Sequence, residues 1–233
     1  MKSVGDPSRR TGSTAVAPAA PNCLRTEDVP AVAALHMRAF ETFFLARLGE
    51  RFLRQFYAGF AEDPGAVTVI ARADDGRVVG AVVGNLAPDQ FFRRLLRRRG
   101  LRLALASLPA VLRDPRVAAR TARAVTYRGE TTVARAEGAL LSSICVDPEV
   151  EGSGYGRWLI DQWWCRARER GARSAYLTTD ADGNDRVNDF YRRAGWTLLG
   201  SQVVAEGRRV NCYGVWADGR SSPGTGPEKP ACQ

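Results

Sequence analysis

The chain has 233 residues, a formal net charge of +9 and 45% hydrophobic residues. This length fits one domain, or one domain with an insertion, and can bury a core without disulfides. No run of about 20 apolar residues is present, so the sequence predicts no transmembrane helix. The sequence therefore predicts neither a membrane-spanning helix nor a disulfide-stapled miniprotein.

Both ends of the chain are predicted to be disordered. Residues 1–21 are rich in Ser, Gly, Ala and Pro and lack the apolar segment of a secretory signal. Residues 218–233 have a similar composition and are expected to form a tail. We therefore predict one folded domain over residues 22–217.

The first half of this domain predicts a strand, two helices and a hairpin. Residues 22–26 are expected to form a first strand, and residues 29–40 a helix with Asp28 as its N-cap. Helical spacing of apolar residues over 52–60 predicts a second helix. The β-branched runs 67–73 and 78–86 flank Asp75-Gly76, a strong hairpin signal.

Residues 86–136 carry the whole excess of positive charge. They contain twelve arginines against Asp89, Asp114 and Glu130, and twelve minus three equals the net charge of +9. Residues 101–111 predict a helix. Three interpretations stay open: a helical cap with solvated arginines, a lid that attracts an anionic acceptor, or a surface that docks on an anionic membrane or nucleic acid. The segment has no aromatic ladder for bases, which disfavours nucleic acid.

The second half of the chain alternates strands and helices. Strands are predicted at 139–146, 174–179, 196–204 and 210–216, and helices at 157–170 and 188–194. The order is β-α-α-β-β, the insertion, then β-α-β-α-β-β. This order predicts an α/β fold with a mixed sheet, helices on both faces, and a basic helical insertion between the third and fourth strands.

The cysteines and the single histidine predict no metal site. None of the five cysteines belongs to a C-x-x-C pair. Their odd number and the missing secretory signal favour reduced thiols and a cytoplasmic location. Cys145 and Cys165 lie in apolar surroundings typical of buried structural thiols. His36 lies on the first predicted helix and is interpreted as a structural residue.

The most informative segment joins the strand 139–146 to the following helix. Asp147-Pro148 ends the strand, and Gly152, Gly154 and Gly156 recur at alternate positions. Glycine permits a tight turn, and a helix N-terminus adds unpaired N–H groups with a partial positive charge. The segment therefore predicts a phosphate site. It is neither a P-loop, since Arg157 follows Gly156, nor a G-x-G-x-x-G dinucleotide loop.

These residues resemble the GCN5-related N-acetyltransferase (GNAT) superfamily over residues 22–216, apart from the insertion. The first motif, Val146-Asp147-Pro148 followed by Glu151-Gly152-Ser153-Gly154-Tyr155-Gly156, is similar to the family's Q/R-x-x-G-x-G/A turn. Glu151 departs from that pattern. The second motif is Asn184, Phe190-Tyr191 and Gly195-Trp196. The resemblance implies a mostly antiparallel sheet flanked by helices.

The resemblance also implies acetyl-CoA, or another acyl-CoA, as the cofactor. Its pyrophosphate would lie on the N–H groups of the turn, and its pantetheine would add like a strand beside the preceding strand. Tyr191 would protonate the leaving thiolate. Arg192 or Arg193 could reach the adenosine phosphates, with solvated arginines on the helix surface as the alternative. The residues implied to bind the cofactor are Ile144, Cys145, Val146, Glu151, Gly152, Ser153, Gly154, Tyr155, Gly156, Arg157, Asn184 and Tyr191.

The implied reaction is direct attack of a neutral amine on a thioester. An amine of pKa about 10.4 is neutral in about one molecule per thousand at pH 7, so the site must desolvate it or supply a base. Asp180 is the candidate base, with Asp182, Glu137 and water chains as alternatives.

The acceptor is expected to be a small-molecule primary amine, such as an amino sugar or a secondary-metabolite amine. The basic insertion is compatible with an anionic acceptor. A peptide or protein amine, a non-catalytic acyl-CoA-binding module and a homodimer stay open as alternatives.

Overall fold

The computed structural model describes residues 22–40, 44–113, 138–204 and 207–219. The predicted leader, residues 114–136 of the basic insertion, Glu137 and residues 220–233 of the predicted tail lie outside this part of the chain. All structural statements below concern the described residues.

The described residues form six α-helices, and their faces follow the apolar spacing of the sequence. α3 buries Phe52, Leu53, Phe56, Tyr57 and Phe60 on one face, as predicted. The helices are α1 (Val29–Ala39), α2 (Phe44–Arg47), α3 (Glu50–Glu62), α4 (Pro88–Arg113), α5 (Tyr155–Glu169) and α6 (Asp185–Arg193), with short 3₁₀ turns at Thr26–Asp28 and Pro148–Val150.

Six strands form a single sheet in the order β1-β2-β3-β4-β6-β5. All neighbouring strands are antiparallel except β3 and β4, which are parallel. The mixed, mostly antiparallel sheet flanked by helices is therefore confirmed. The strands are β1 (Ala66–Arg72), β2 (Val78–Asn85), β3 (Ala139–Val146), β4 (Ser174–Asp180), β5 (Thr197–Val203) and β6 (Arg209–Trp216).

The expected first strand is wrong. Asn22 makes an isolated bridge to Ile70, and a 3₁₀ turn follows it. The side chain of Asp28 does not cap α1, because its carboxylate accepts the Arg25 N–H at 3.0 Å and pairs with Arg72 of β1. The carboxylate thus ties the N-terminal segment to the sheet. The helical insertion consequently follows the second strand of the sheet and precedes the third.

Apolar side chains cover both faces of the sheet. α1 and α3 pack on one face, where Leu35 and Phe60 are almost fully buried. α5 packs on the other face through Leu159 and Trp163. The Trp163 indole N–H donates to the carbonyl of Val67 at 3.0 Å, so this buried polar group is satisfied. The central strands are held between these two layers.

β3 and β4 separate soon after they begin. They pair through two residue couples, Ala139 with Ala175 and Leu140 with Tyr176. The register between β3 and β2 shifts at Ser142, which marks a β-bulge, and bulges bend a strand. The last six residues of β3 therefore leave the β4 ladder. We call the resulting opening in the middle of the sheet the wedge.

α4 is one continuous helix of 26 residues, longer than the sequence predicts. Phe91 and Leu95 join the core beside α3, and Arg94 pairs with Asp63 at 2.7 Å. Pro109 lies inside the helix, where its ring removes one backbone donor. Among the described helices, none is both long and apolar enough for a membrane crossing.

Candidate active site

The glycine turn connects β3 to α5 with a backbone that favours glycine. Gly152 and Gly154 have φ of +83° and +93°, a left-handed region that other residues rarely adopt. A Cβ at either position would meet no atom within 4 Å, so a ligand can approach the backbone. Gly154 directly precedes α5, whose first N–H groups have no acceptor within the helix. The turn thus offers donors and the positive end of the helix dipole.

Asp147 fixes the beginning of this turn. Its side chain is 2% exposed and accepts hydrogen bonds from Arg38 at 2.8 Å and Arg77 at 3.1 Å. Its backbone N–H donates to the carbonyl of Val79 at 2.8 Å. Burial alone would raise the pKa of Asp147, and the hydrogen bond and charge of Arg38 lower it below its ordinary value. Sequence reasoning missed this anchor, because Arg38 and Arg77 are distant from Asp147 along the chain.

The side chains of Glu151 and Arg157 are both engaged with protein groups. Glu151 pairs with Arg186 of α6 at 2.8 Å, so an arginine meets the negative charge that departs from the family pattern. The Nε of Arg157 donates to Asp161 at 2.6 Å, and its Nη1 donates to the carbonyl of Arg193 at 2.8 Å. The backbone N–H of Arg157 is therefore the group suited to a phosphate. Sequence reasoning missed Arg186, which no motif marks.

Ser153 and Tyr155 complete the turn, and Gly156 lies in the first turn of α5. The Ser153 hydroxyl donates to the carbonyl of Val150 within the turn. Tyr155 is 7% exposed and packs in the α5 core. A Cβ on Gly156 would lie 3.6 Å from the ring of Phe190, an ordinary contact distance. The turn is thus packed against α6 on one side and open on the other.

The wedge brings the end of β3 to the glycine turn. Ile144 and Val146 pack toward α5, whereas Cys145 packs toward α1 and α3. The buried Cys145 thiol donates to the carbonyl of Ala81 at 3.7 Å, and burial raises its pKa to about 12. Cys145 therefore stays a neutral thiol and is not a nucleophile. The backbone edge of these residues that faces away from β2 can pair with an extended ligand.

Two asparagines hold the end of β4. The Nδ2 group of Asn184 donates to Thr179 Oγ1 at 2.9 Å and to the carbonyl of Asp180 at 3.2 Å. Asn188, which sequence reasoning missed, donates to the same carbonyl at 2.9 Å and accepts from the Tyr213 hydroxyl at 3.0 Å. Asn184 thus uses its donors inside the protein, so its Oδ1 is the atom suited to accept from a pantetheine N–H.

Tyr191 lies in an aromatic cluster. Its ring centroid is 5.2 Å from that of Phe190, 6.3 Å from that of Trp196 and 5.7 Å from that of Tyr213. Burial, and then the neighbouring Tyr213, raise the pKa of Tyr191 far above its ordinary value. The phenol therefore stays protonated at any working pH and can donate a hydrogen bond, although it is a weaker acid than an exposed tyrosine.

Both described candidates for the base are ion-paired. Asp180 Oδ1 lies 3.1 Å from Nε of Arg208. Asp182 accepts from Nε of Arg209 at 3.2 Å at an exposed position. Accepting a proton at either carboxylate would disrupt an ion pair. Glu137 lies outside the described residues.

A buried polar chain connects α1 to β3, and sequence reasoning missed it. His36 Nδ1 hydrogen-bonds the Tyr57 hydroxyl at 2.7 Å, and that hydroxyl lies 3.2 Å from Ser143 Oγ. Burial lowers the pKa of His36 to about 4, so the ring is neutral. Its Nε2 has no hydrogen-bond partner among the described residues. The chain ends at Ser143, which lies beside the bulge where β3 has left the β4 ladder.

The described residues contain no group of three or more His, Cys, Asp or Glu side chains placed to hold a metal ion. The four described cysteines are free thiols: Cys23, Cys145, Cys165 and Cys212.

Known proteins share this architecture. A model of the acetyltransferase (GNAT) family matches residues 29–196, and no curated protein matches the chain. SsHAT has 23% identity and a TM-score of 0.58, with 84% of this chain and 97% of that chain covered. A putative GNAT acetyltransferase from Desulfovibrio desulfuricans has 17% identity and a TM-score of 0.56, with 86% and 99% covered.

A chimera of the spermidine N-acetyltransferase SpeG from Vibrio cholerae and hSSAT has 12% identity and a TM-score of 0.51, with 85% and 96% covered. At these identities the solved structures establish the fold, whereas the family match spans more than half of the chain. The family match, with a sheet that opens beside a glycine turn, identifies this chain as an acyl-CoA-dependent N-acetyltransferase of the GNAT family.

Proposed function

We propose that the enzyme binds acetyl-CoA in the wedge and transfers its acetyl group directly to the primary amine of a small molecule. The continuity of the wedge with the glycine turn carries this proposal. β3 leaves β4 after Leu140, runs open-edged to Val146, and enters a turn with Gly152 and Gly154 at positive φ. A strand-like arm and a pyrophosphate are the two ligand parts that such a surface suits.

The cofactor would lie along these two surfaces. The N–H groups of residues 152–157 would hold the pyrophosphate, and the exposed Arg186 offsets the negative charge of Glu151 beside them. The pantetheine would pair with the edge of residues 144–146, and Asn184 Oδ1 would accept one of its amide N–H groups. The same surfaces would also bind other acyl-CoA molecules. Activity measurements with different acyl-CoA donors therefore identify the acyl group.

The proposed chemistry is a single displacement. The amine nitrogen attacks the thioester carbonyl, the C–S bond breaks, and the leaving thiolate accepts a hydrogen bond and then a proton from the Tyr191 hydroxyl. Tyr191 regains its proton from the one that the amine releases. Backbone N–H groups near Val146 would stabilise the developing oxyanion. The amine proton passes to Asp180. A water chain is the alternative, because protonating Asp180 would disrupt its ion pair with Arg208.

The acceptor side is proposed to lie on the α1 and α3 face of β3. The Ser143 hydroxyl is partly exposed there and is held by Tyr57 at 3.2 Å. One of its lone pairs can accept a hydrogen bond from an amine N–H. The name of the SpeG chimera gives spermidine, a small amine, as that protein's acceptor. Small amines are the first acceptors to test and peptide amines are the alternative, and the free thiols support a cytoplasmic setting.

Free-thiol release from acetyl-CoA over a panel of amines tests the proposal. The panel contains spermidine, an amino sugar, a peptide with a free N-terminus and a lysine peptide. We expect release above the hydrolysis background with at least one of the two small amines. Release with the peptides alone would assign a peptide acetyltransferase. Calorimetric binding of acetyl-CoA with no release would favour a binding module, and no calorimetric binding would overturn the cofactor assignment.

A further inference from the structure

The second half of α4 exposes a stripe of leucines. Leu101, Leu105, Leu108 and Leu112 are 75%, 61%, 48% and 75% exposed. Their spacing of four, three and four residues puts them on one face of the helix. Exposed leucines scattered over a surface need no explanation, but a contiguous stripe marks an interaction site.

Arginines border this leucine stripe. Arg97, Arg98, Arg102 and Arg113 are exposed. At about 100° per residue, Arg98 and Arg102 lie roughly 60° and 100° from Leu101 on one side, and Arg97 lies roughly 40° away on the other. The face is therefore apolar over residues 101–112, with Arg102 and Arg113 along one border and Arg97 and Arg98 at its N-terminal end.

The opposite side of α4 packs against the rest of the protein. Leu95 and Leu103 are 7% exposed and pack in the core beside α3. Arg99, on the same side as Leu103, pairs with Glu62 of α3. The leucine stripe thus lies opposite the anchored side and is not a displaced part of the core.

We propose that α4 docks on the surface of a bilayer that contains anionic lipids. The helix would lie in the plane of the headgroups, with the leucine stripe at the acyl boundary and the bordering arginines on lipid phosphates. This placement needs no membrane crossing, which α4 is not suited to make.

The charge of α4 favours an anionic membrane over a second copy of the chain, and its leucines favour the membrane over nucleic acid. α4 has seven arginines and Asp89 as its single acid. Arg94 and Arg99 pair with acids at the end of α3, and the other five arginines leave a net positive charge that a surface rich in phosphate complements. A second copy packed stripe against stripe would bring two sets of arginines together, which is unfavourable. Nucleic acid would complement the arginines but would leave the leucines in water.

Co-sedimentation of the full chain with vesicles tests the proposal. Phosphatidylcholine vesicles are compared with vesicles that contain about 30% phosphatidylglycerol, at low and high salt. We expect binding to the anionic vesicles that weakens with salt, because lipid charge is screened within about 10 Å at 0.1 M. Leu101→Gln/Leu105→Gln and Arg98→Glu/Arg102→Glu should each weaken binding about tenfold or more.

A matched control separates local from net charge. Arg51→Glu/Arg173→Glu reverses two exposed arginines outside α4, so it changes net charge by the same amount. This variant should keep most of the binding. Thermal melting of every variant confirms that it is folded.

Three results would overturn the proposal. The first is equal binding to neutral and anionic vesicles, or binding that the α4 variants leave unchanged. The second is no vesicle binding with a dimer that the leucine variant dissociates, which would assign the stripe to a second copy. The third is capture by DNA without capture by vesicles.

Discussion

Burial has two opposite effects on Tyr191. It keeps the phenol protonated, as a proton donor must be, and it also makes the phenol a weaker acid. The leaving thiolate has an ordinary pKa of about 8.5, so a buried phenol stabilises it mainly by donating a strong hydrogen bond. The family motif thus accounts for a tyrosine at this position, and its packing against Phe190, Trp196 and Tyr213 sets how acidic the phenol is.

Replacing Tyr191 by Phe should slow turnover and spare cofactor binding. We expect kcat to fall roughly tenfold to hundredfold, at or below the lower end of what general acids contribute, because the phenol is a weak acid. The ring contacts survive, so acetyl-CoA affinity measured by calorimetry should hardly change. Tyr176→Phe, at the start of β4, is the control and should keep full activity. An unchanged kcat in Tyr191→Phe would remove this residue from the mechanism.

His36 makes stability depend on pH. Its pKa is about 4 in the folded protein, against about 6.5 in the unfolded chain. Between these values the unfolded chain binds a proton that the folded protein does not, so stability falls as pH drops from about 6.5 toward about 4. The loss between pH 7 and pH 5 should be about 2 kcal/mol.

Urea unfolding at pH 7 and pH 5 measures this dependence. His36→Gln keeps a hydrogen-bonding side chain beside Tyr57 and removes the titration, so its loss between the two pH values should be smaller by that amount. Equal losses in the two proteins would show that His36 titrates normally in the fold.

At the scale of elements, α5 has a glycine in the left-handed region at each end. Gly154 precedes it with φ of +93°, and Gly171 follows it with φ of +90°. A side chain at either position would be strained by roughly 1–2 kcal/mol, and neither Cβ would touch a neighbour. The two glycines thus offer a matched pair, of which the first borders the proposed cofactor site.

Gly154→Val should abolish acetyl-CoA binding, whereas Gly171→Val should retain it. Calorimetry measures the affinities, and thermal melting confirms that both variants suffer a similar loss of stability. If Gly171→Val loses binding equally, the effect of the first variant comes from stability and the phosphate-loop assignment fails. Retained affinity in Gly154→Val would contradict it directly.

Elements with local signals could be predicted from the sequence, and elements that depend on distant partners could not. The hairpin around Asp75-Gly76 and the buried face of α3 depend on residues close together in the sequence, and both predictions are confirmed. The predicted N-cap at Asp28 is wrong because this carboxylate pairs with an arginine 44 positions away. α4 begins at Pro88, earlier than predicted, because packing on α3 stabilises its arginine-rich first half.

The same distinction applies to the candidate site. The glycine turn is a backbone motif, so its residues could be predicted from their order along the chain. The polar chain from His36 to Ser143 could not, since Tyr57 and Ser143 are 86 positions apart. Asp147 was missed for the same reason, because Arg38 and Arg77 reach it from α1 and the hairpin.

At the scale of the whole molecule, acetyl-CoA should protect two separate segments from hydrogen exchange. The cofactor would cover the open edge of residues 144–146 and the N–H groups of residues 152–157. Exchange in both segments should slow on adding acetyl-CoA, while the β1–β2 hairpin, already paired, should change little. Coenzyme A without the acetyl group should protect the same segments. Protection confined to the turn would contradict the strand-like position of the pantetheine.

The two couples that join β3 to β4 have a further consequence for folding. They connect two ladders of three strands each, β1-β2-β3 and β4-β6-β5. Backbone hydrogen bonding between the ladders is therefore sparse, and their cohesion depends on the apolar core under α5, to which both contribute, Val67 and Leu141 from one ladder and Leu177 and Tyr213 from the other. A ligand that pairs with the open edge of β3 and binds only the folded state would strengthen this junction.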